Sequence, residues 1–221
     1  MLSLKRIAFL VLALLAASGS AHANLISNGS FETVDSRVGT MNGIALDQLS
    51  SGNRWDIYTS LPGGWTTVSG YHGIEVQNNT VTSAANGTKY LELESDGISS
   101  ITQSFTTTFT GKYLLQFFYQ PRTSTAGDNL VHATIDGTTV ATANGVSPAG
   151  WSLVSVIVTL NAGTHSLGFD SIGAIDNSLG GFIDNVSITA VPLPPPALLL
   201  LSGIVGIGYI GRRNRKRNWM A

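Results

Sequence analysis

The sequence predicts an all-β fold, an antiparallel β-sandwich, for residues 24–190, and three observations carry the prediction. No stretch between Asn24 and Ala190 holds a sustained 3.6-residue apolar period. Short runs rich in Thr, Val and aromatic residues recur instead, separated by Gly, Asn, Asp and Ser. The strongest run, 112–120, alternates: Tyr113, Leu115, Phe117 and Tyr119 fall on one face, Leu114, Gln116 and Phe118 on the other. Eight or more such runs suit two sheets that each bury one face against the other.

Taken in order, the chain opens with Lys5-Arg6, an apolar run from Ile7 to Ala17, and Ala21-His22-Ala23. Basic residues, apolar core and small-x-small site stand in the order of a signal peptide, so 1–23 is read as one, cut after Ala23. Thr33 to Gly70 is irregular and is read as long loops at one end or face of the sandwich, where ligands usually bind. Strands are expected over 71–77, 89–94, 98–109 (with a bend), 112–120, 130–135, 138–141, 153–160, 164–169 and 182–189. Asp136-Gly137 is expected to be a tight hairpin turn.

Charge is unevenly placed. Residues 24–190 carry 13 acidic and 5 basic side chains, a net charge of −8, while seven basic residues sit at the termini. An acidic body lacks the clustered Lys and Arg that phosphate contacts require, which excludes nucleic acid as a partner. The chain has no cysteine, so no disulfide staples the domain.

The run Asn24-Leu25-Ile26-Ser27-Asn28-Gly29-Ser30-Phe31-Glu32 is followed by Gly64-Trp65, Ile74-Glu75-Val76, Tyr90-Leu91-Glu92-Leu93 and Gly180-Gly181-Phe182-Ile183-Asp184-Asn185-Val186-Ser187. In this order and spacing the motifs resemble the extracellular DUF642-like, galactose-binding-like jelly-roll modules, over residues 24 to 190. The resemblance implies a sandwich of the carbohydrate-binding-module type and leaves the ligand open, since fold does not fix function. In similar modules an acidic residue after the first strand and another on the last share a structural calcium. The resemblance therefore implies Ca2+ held by Glu32 and Asp184. Loop oxygens of Asp47 and Asp56 are further ligands to consider, and backbone hydrogen bonds to Asp184 at a strand edge are the alternative.

Flat aromatic rings bind sugars by stacking on the apolar face of a pyranose, while polar groups fix orientation. Trp55, Tyr58 and Tyr71 lie in or beside the loop-rich region and are expected to form such a platform, with Asp56 or Asn53 alongside. Trp65 and Trp151 are expected in the core. Catalytic signatures are missing: there is no Gly-x-Ser-x-Gly elbow, and His72, His132 and His165 lack metal-ligand spacing. Glu92 and Glu94 would serve paired-carboxylate hydrolysis only with a partner across a cleft.

The last segment, 191–217, runs from Val191-Pro192-Leu193-Pro194-Pro195-Pro196 through an apolar stretch, 197–211, to Arg212-Arg213-Asn214-Arg215-Lys216-Arg217. It resembles the PEP-CTERM sorting signal, with Leu193 where a glutamate is usual. Val191, Pro192, Pro194, Arg212 and Arg213 mark the signal. The resemblance implies an exosortase-type processing enzyme as partner and a bacterial cell envelope. The apolar stretch is expected to be a short transmembrane helix, a transient membrane anchor with its basic tip in the cytoplasm. The protein is then expected to cross the inner membrane, face the periplasm, and pass to the outer surface or extracellular matrix. The expected function is non-catalytic carbohydrate contact, most naturally with a polysaccharide. A structural or adhesion protein without a sugar site, or a polysaccharide hydrolase, are the alternatives.

Overall fold

The computed structural model describes residues 23–35, 39–40, 42–50, 54–147 and 149–192, without the side chain of Ala126. They belong to the compact unit Ala21–Val191, apart from Pro192. Twelve strands follow in chain order: β1 (Arg54–Tyr58), β2 (Ser60–Leu61), β3 (Trp65–Thr67), β4 (Ile74–Asn78), β5 (Lys89–Leu93), β6 (Ser100–Thr107), β7 (Gly111–Gln120), β8 (Val131–Ile135), β9 (Thr138–Ala143), β10 (Ser152–Leu160), β11 (Gly163–Asp170) and β12 (Gly181–Ala190). They form two six-stranded antiparallel sheets, in the orders β1-β4-β5-β12-β7-β10 and β2-β3-β6-β11-β8-β9. The expected sandwich is therefore the fold.

Period-two burial explains the layering. On β7, Tyr113, Leu115, Phe117 and Tyr119 are buried in the core between the sheets, while Leu114, Gln116 and Phe118 face outward and are half-buried. Trp65 is fully buried, tilted against Phe31 and Phe169 at ring separations of 5.8 and 6.2 Å, and its Nε1 donates to Asn28 O. The β8–β9 turn is the expected hairpin, with Asp136 at φ 50° and Gly137 at φ 77°, the left-handed pair of a type I′ turn.

The motifs at the two ends of the domain meet in space. Leu25 N donates to Ile188 O, and the Asn24 side chain spans Val186 O and Ile188 N. β12 carries a bulge between Asp184 and Ser187, with Asn185 at φ 50°. Gly29 lies against that bulge, where a Cβ would collide with the Val186 carbonyl.

Several expectations are corrected. The region read as long loops holds β1, β2 and β3, with Arg54–Tyr58 paired along β4 at the edge of one sheet. Trp151 lies half-buried on the outer face of the first sheet, outside the core between the sheets. Among the described residues no helix is long and apolar enough to cross a membrane; the helices there are 3-10 turns at Leu46–Gln48 and Ala126–Asn129. The signal-peptide segment 1–22, the apolar stretch 197–211, Pro194, Arg212 and Arg213 lie outside the described residues. Val191 and Pro192 are described and simply follow β12, with Val191 N donating to Lys112 O. The transmembrane helix is not carried forward, and with it go the membrane anchor, the exosortase-type partner and the route through the periplasm to the surface.

Candidate functional site

The site is built on the outer face of the first sheet. Strand register sets three neighbouring positions there: Trp55 on β1 stands opposite Gln77 on β4, which stands opposite Tyr90 on β5. The next row runs Ile57, Glu75, Glu92, Phe182, Gln120 across β1, β4, β5, β12 and β7. The β4–β5 connection, residues 79–88, folds back over this face. Val81 and Thr82 donate their backbone N–H to the Tyr90 hydroxyl, Gln120 Nε2 reaches Thr82 Oγ1, and Trp151 Nε1 donates to Ser83 O. Tyr90 lies edge-on to Trp151 and Phe182, with ring centroids 5.7 and 4.9 Å away.

Beneath this cover lies a closed polar network. Gln77 Nε2 donates to Glu75 and Glu92, Tyr90 OH donates to Gln77 Oε1, and Gly180 N and the Arg122 guanidinium both donate to Glu92 Oε1. Burial raises the pKa of Glu75, and burial and then the neighbouring Glu75 carboxylate raise that of Glu92 well above the usual range, with Arg122 opposing. Glu94 follows at φ 134°, buried beneath the 177–180 backbone. Its Oε1 accepts from Asn177 N, its Oε2 has no partner among the described residues, and burial pushes its pKa up to about 7.

The sequence-predicted platform separates into exposed and buried members. The Trp55 side chain is 43% exposed at the rim of the covered face. Tyr71 is 37% exposed but lies beyond the Tyr58–Ile74 end of the β1–β4 ladder, the opposite end from Trp55. Asp56 and Tyr58 point the other way along β1, toward the core, and are fully buried. Asp56 accepts from Thr40 Oγ1 and from the backbone N–H of Asn42, Ile44 and Ile57, and Tyr58 OH donates to Ile44 O. The two pin the 40–44 segment and offer a ligand nothing, so both leave the platform. Asn53 lies outside the described residues.

Glu32 and Asp184 grip one loop from two sides. Glu32 Oε1 accepts from the backbone N–H of Thr88 and Lys89, and the Lys89 ammonium lies 3.6 Å from Oε2. Asp184 accepts from Asn86 N and Asn185 N, the backbone alternative to metal ligation. Burial pushes its pKa up to about 7, against the hydrogen bonds and with a smaller contribution from Glu32. Among the described residues no three His, Asp or Glu side chains come together as a metal site, so the expected calcium gains no support. The three described histidines each meet an aspartate: His72 with Asp96 at 2.8 Å, His132 with Asp170 at 3.2 Å and His165 with Asp136 at 2.7 Å.

The sequence reading missed Gln77 and Arg122, and gave Glu92 and Glu94 a role only with a partner across a cleft. The available signal was the pairing of two short strands, Ile74–Asn78 and Lys89–Leu93, that place polar and apolar residues in the same alternation. A hollow of about 120 Å³ lined by Leu25, Phe109, Tyr113 and Ala190 is smaller than the roughly 300 Å³ of ordinary ligand clefts.

Solved structures similar to this chain include a family 35 carbohydrate-binding module from Paenibacillus barcinonensis, with 20% identity over 58% of this chain and 94% of that one and a TM-score of 0.41. A family 35 module from Clostridium thermocellum has 17% identity over 62% and 92%, TM-score 0.40. A family 61 module in complex with β-1,4-galactotriose has 13% identity over 76% and 99%, TM-score 0.47. No curated protein matches the chain. No sorting-signal match accompanies residues 191–217. One family model matches residues 24–189, which is nearly the whole compact unit, and the chain accordingly belongs to the family described as Protein of unknown function (DUF642).

Proposed function

We propose that the domain is a non-catalytic carbohydrate-contact module whose platform is the Trp55 indole. The observation that carries this reading is the exposure of that ring, 43%, on a regular strand of a folded sheet. Strand tryptophans ordinarily bury their large apolar surface, and an exposed one at a rigid rim is suited to stacking on a sugar. Hydroxyl and amide groups lie beside it: Thr80 Oγ1 bonds to the carbonyl of Arg54, and the 79–88 loop is rich in Asn, Ser and Thr.

The burial of the carboxylates supports the non-catalytic part. Glu75, Glu92 and Glu94 are buried, and Gln77, Arg122, Gly180 and Asn177 occupy them. A hydrolytic acid and base must reach the substrate.

The test is retention on a panel of immobilised polysaccharides. Trp55→Ala is expected to lower affinity about tenfold or more for whichever polymer retains the parent chain, and Tyr71→Ala to change it little. No retention on any polymer, or equal retention of Trp55→Ala, would remove the proposal.

A further inference from the structure

Four strands stand at the edges of the two sheets, and three of them carry a feature that blocks pairing with another chain. β1 holds Arg54 and Asp56 and is bridged at Tyr58 by Thr40. β2 has two residues. β9 is interrupted by a bulge opposite Ala133 and Thr134. Strand β10 has none of these. Its nine residues include no charge, proline or glycine, and they run in unbroken register along β7, from Ser152 opposite Tyr119 to Leu160 opposite Gly111. Among the described residues it pairs on that side only. Such an edge presents a free row of N–H and C=O groups to another strand.

We propose that β10 is a self-association surface, at which a second copy of this chain adds its own β10 antiparallel and the two first sheets become continuous. The strand is self-complementary about Ser155. A two-fold axis there sets Leu153 opposite Ile157 of the second copy, Val154 opposite Val156, and Ser155 opposite itself. Leu153 and Ile157 are 53% and 58% exposed, both on the outer face, and the half-buried Val154 and Val156 pack against the core. Each copy would therefore cover the apolar surface that the other leaves open.

The lack of charge along β10 itself favours a second copy over a charged partner there. The body carries 13 acidic and 5 basic residues, so two copies repel over most of their surface. Along β10 no like charges are brought opposite each other, and a charged peptide would find no complement there. In this register the seven residues Ser152–Val158 of each copy pair, over about 23 Å. A strip of that length covers less than the roughly 800 Å² per partner of a standard interface, so the dimer is reversible and concentration-dependent.

The absence of cysteine makes the register directly testable. Directly opposed residues of antiparallel strands have Cα atoms about 4.5–5.5 Å apart, within disulfide reach. The full chain is expected to sediment as a monomer–dimer equilibrium. Ile157→Lys should raise the concentration needed for dimer about tenfold or more, with Leu153→Lys repeating the test if the first variant does not fold. Val81→Lys, at a side chain 50% exposed in the 79–88 loop, should leave that concentration unchanged. Under oxidation S155C should cross-link about ten times faster than V81C. A chain that stays monomeric at every concentration, a dimer unmoved by Ile157→Lys, or equal cross-linking of S155C and V81C would overturn the proposal.

Discussion

Glu75 on β4 stands directly opposite Glu92 on β5, and one side-chain amide, Nε2 of Gln77, donates to both carboxyl groups. An amide nitrogen has two hydrogens, so the arrangement uses its full donor capacity. Arg122 supplies the cation. Arg122→Met would leave the buried Glu92 without a counter-charge, at a cost of about 3–5 kcal/mol near neutral pH. The loss should shrink toward pH 5, because a carboxyl already raised by burial takes up a proton and no longer needs the guanidinium. Denaturant melts at the two pH values check this, and an equal loss at both contradicts it.

Two other buried carboxyls predict a stability that falls as pH rises. Asp184 and Glu94 are both pushed up to about 7, from ordinary values of 3.8 and 4.5, chiefly by burial. The folded state therefore binds the proton more tightly than the unfolded chain. Each group's stabilisation is complete below its unfolded pKa and is lost as pH climbs toward about 7, with a slope of up to about 1.4 kcal/mol per pH unit. Asp184→Asn and Glu94→Gln should each flatten the profile between roughly pH 4 and 7. Thermal melts across that range decide it, and a wild-type profile that rises over the window rejects the assignment.

The two tryptophans near the first strands should behave oppositely. Trp65 is fully buried against Phe31 and Phe169, so Trp65→Ala should cost about 3–5 kcal/mol. Trp55→Ala removes a half-exposed ring and should cost about 1 kcal/mol or less. Chemical denaturation of both variants gives the contrast, and comparable losses would contradict the burial assigned to them.

Gly180 sits where a Cβ would collide with the Leu93 carbonyl on the neighbouring strand. Gly180→Ala must push the start of β12 away from β5 and disturb the Gly180 N–H bond to Glu92, at about 3 kcal/mol. A melting temperature unchanged from wild type would show that the backbone yields there without cost.

The long strands were legible because their period is clean. β7 and β12 appeared in the sequence within one or two residues of their observed ends, and Asp136-Gly137 named its own turn. β1 was not legible: Trp55, Asp56 and Tyr58 share a short segment between Gly- and Ser-rich stretches, and all three looked equally available to a ligand. Pairing at the sheet edge decides the matter, because it sends Trp55 outward and Asp56 and Tyr58 toward the core. The polar network was hidden for a different reason. Nothing local to Glu75 or Glu92 says that a loop ten residues long returns to cover them, or that Arg122 arrives from the far end of β7.

The hydrogen bonds that tie Asn24 and Leu25 to Val186 and Ile188 bring the beginning and end of the domain side by side. A module with adjacent ends can be joined by a short bridge and reopened elsewhere, so a circular permutant cut in an exposed turn, such as Asp136-Gly137, should still fold. Tension between its two ends would act first on those few bonds, peeling the leading segment from the final strand before any load reached the interior.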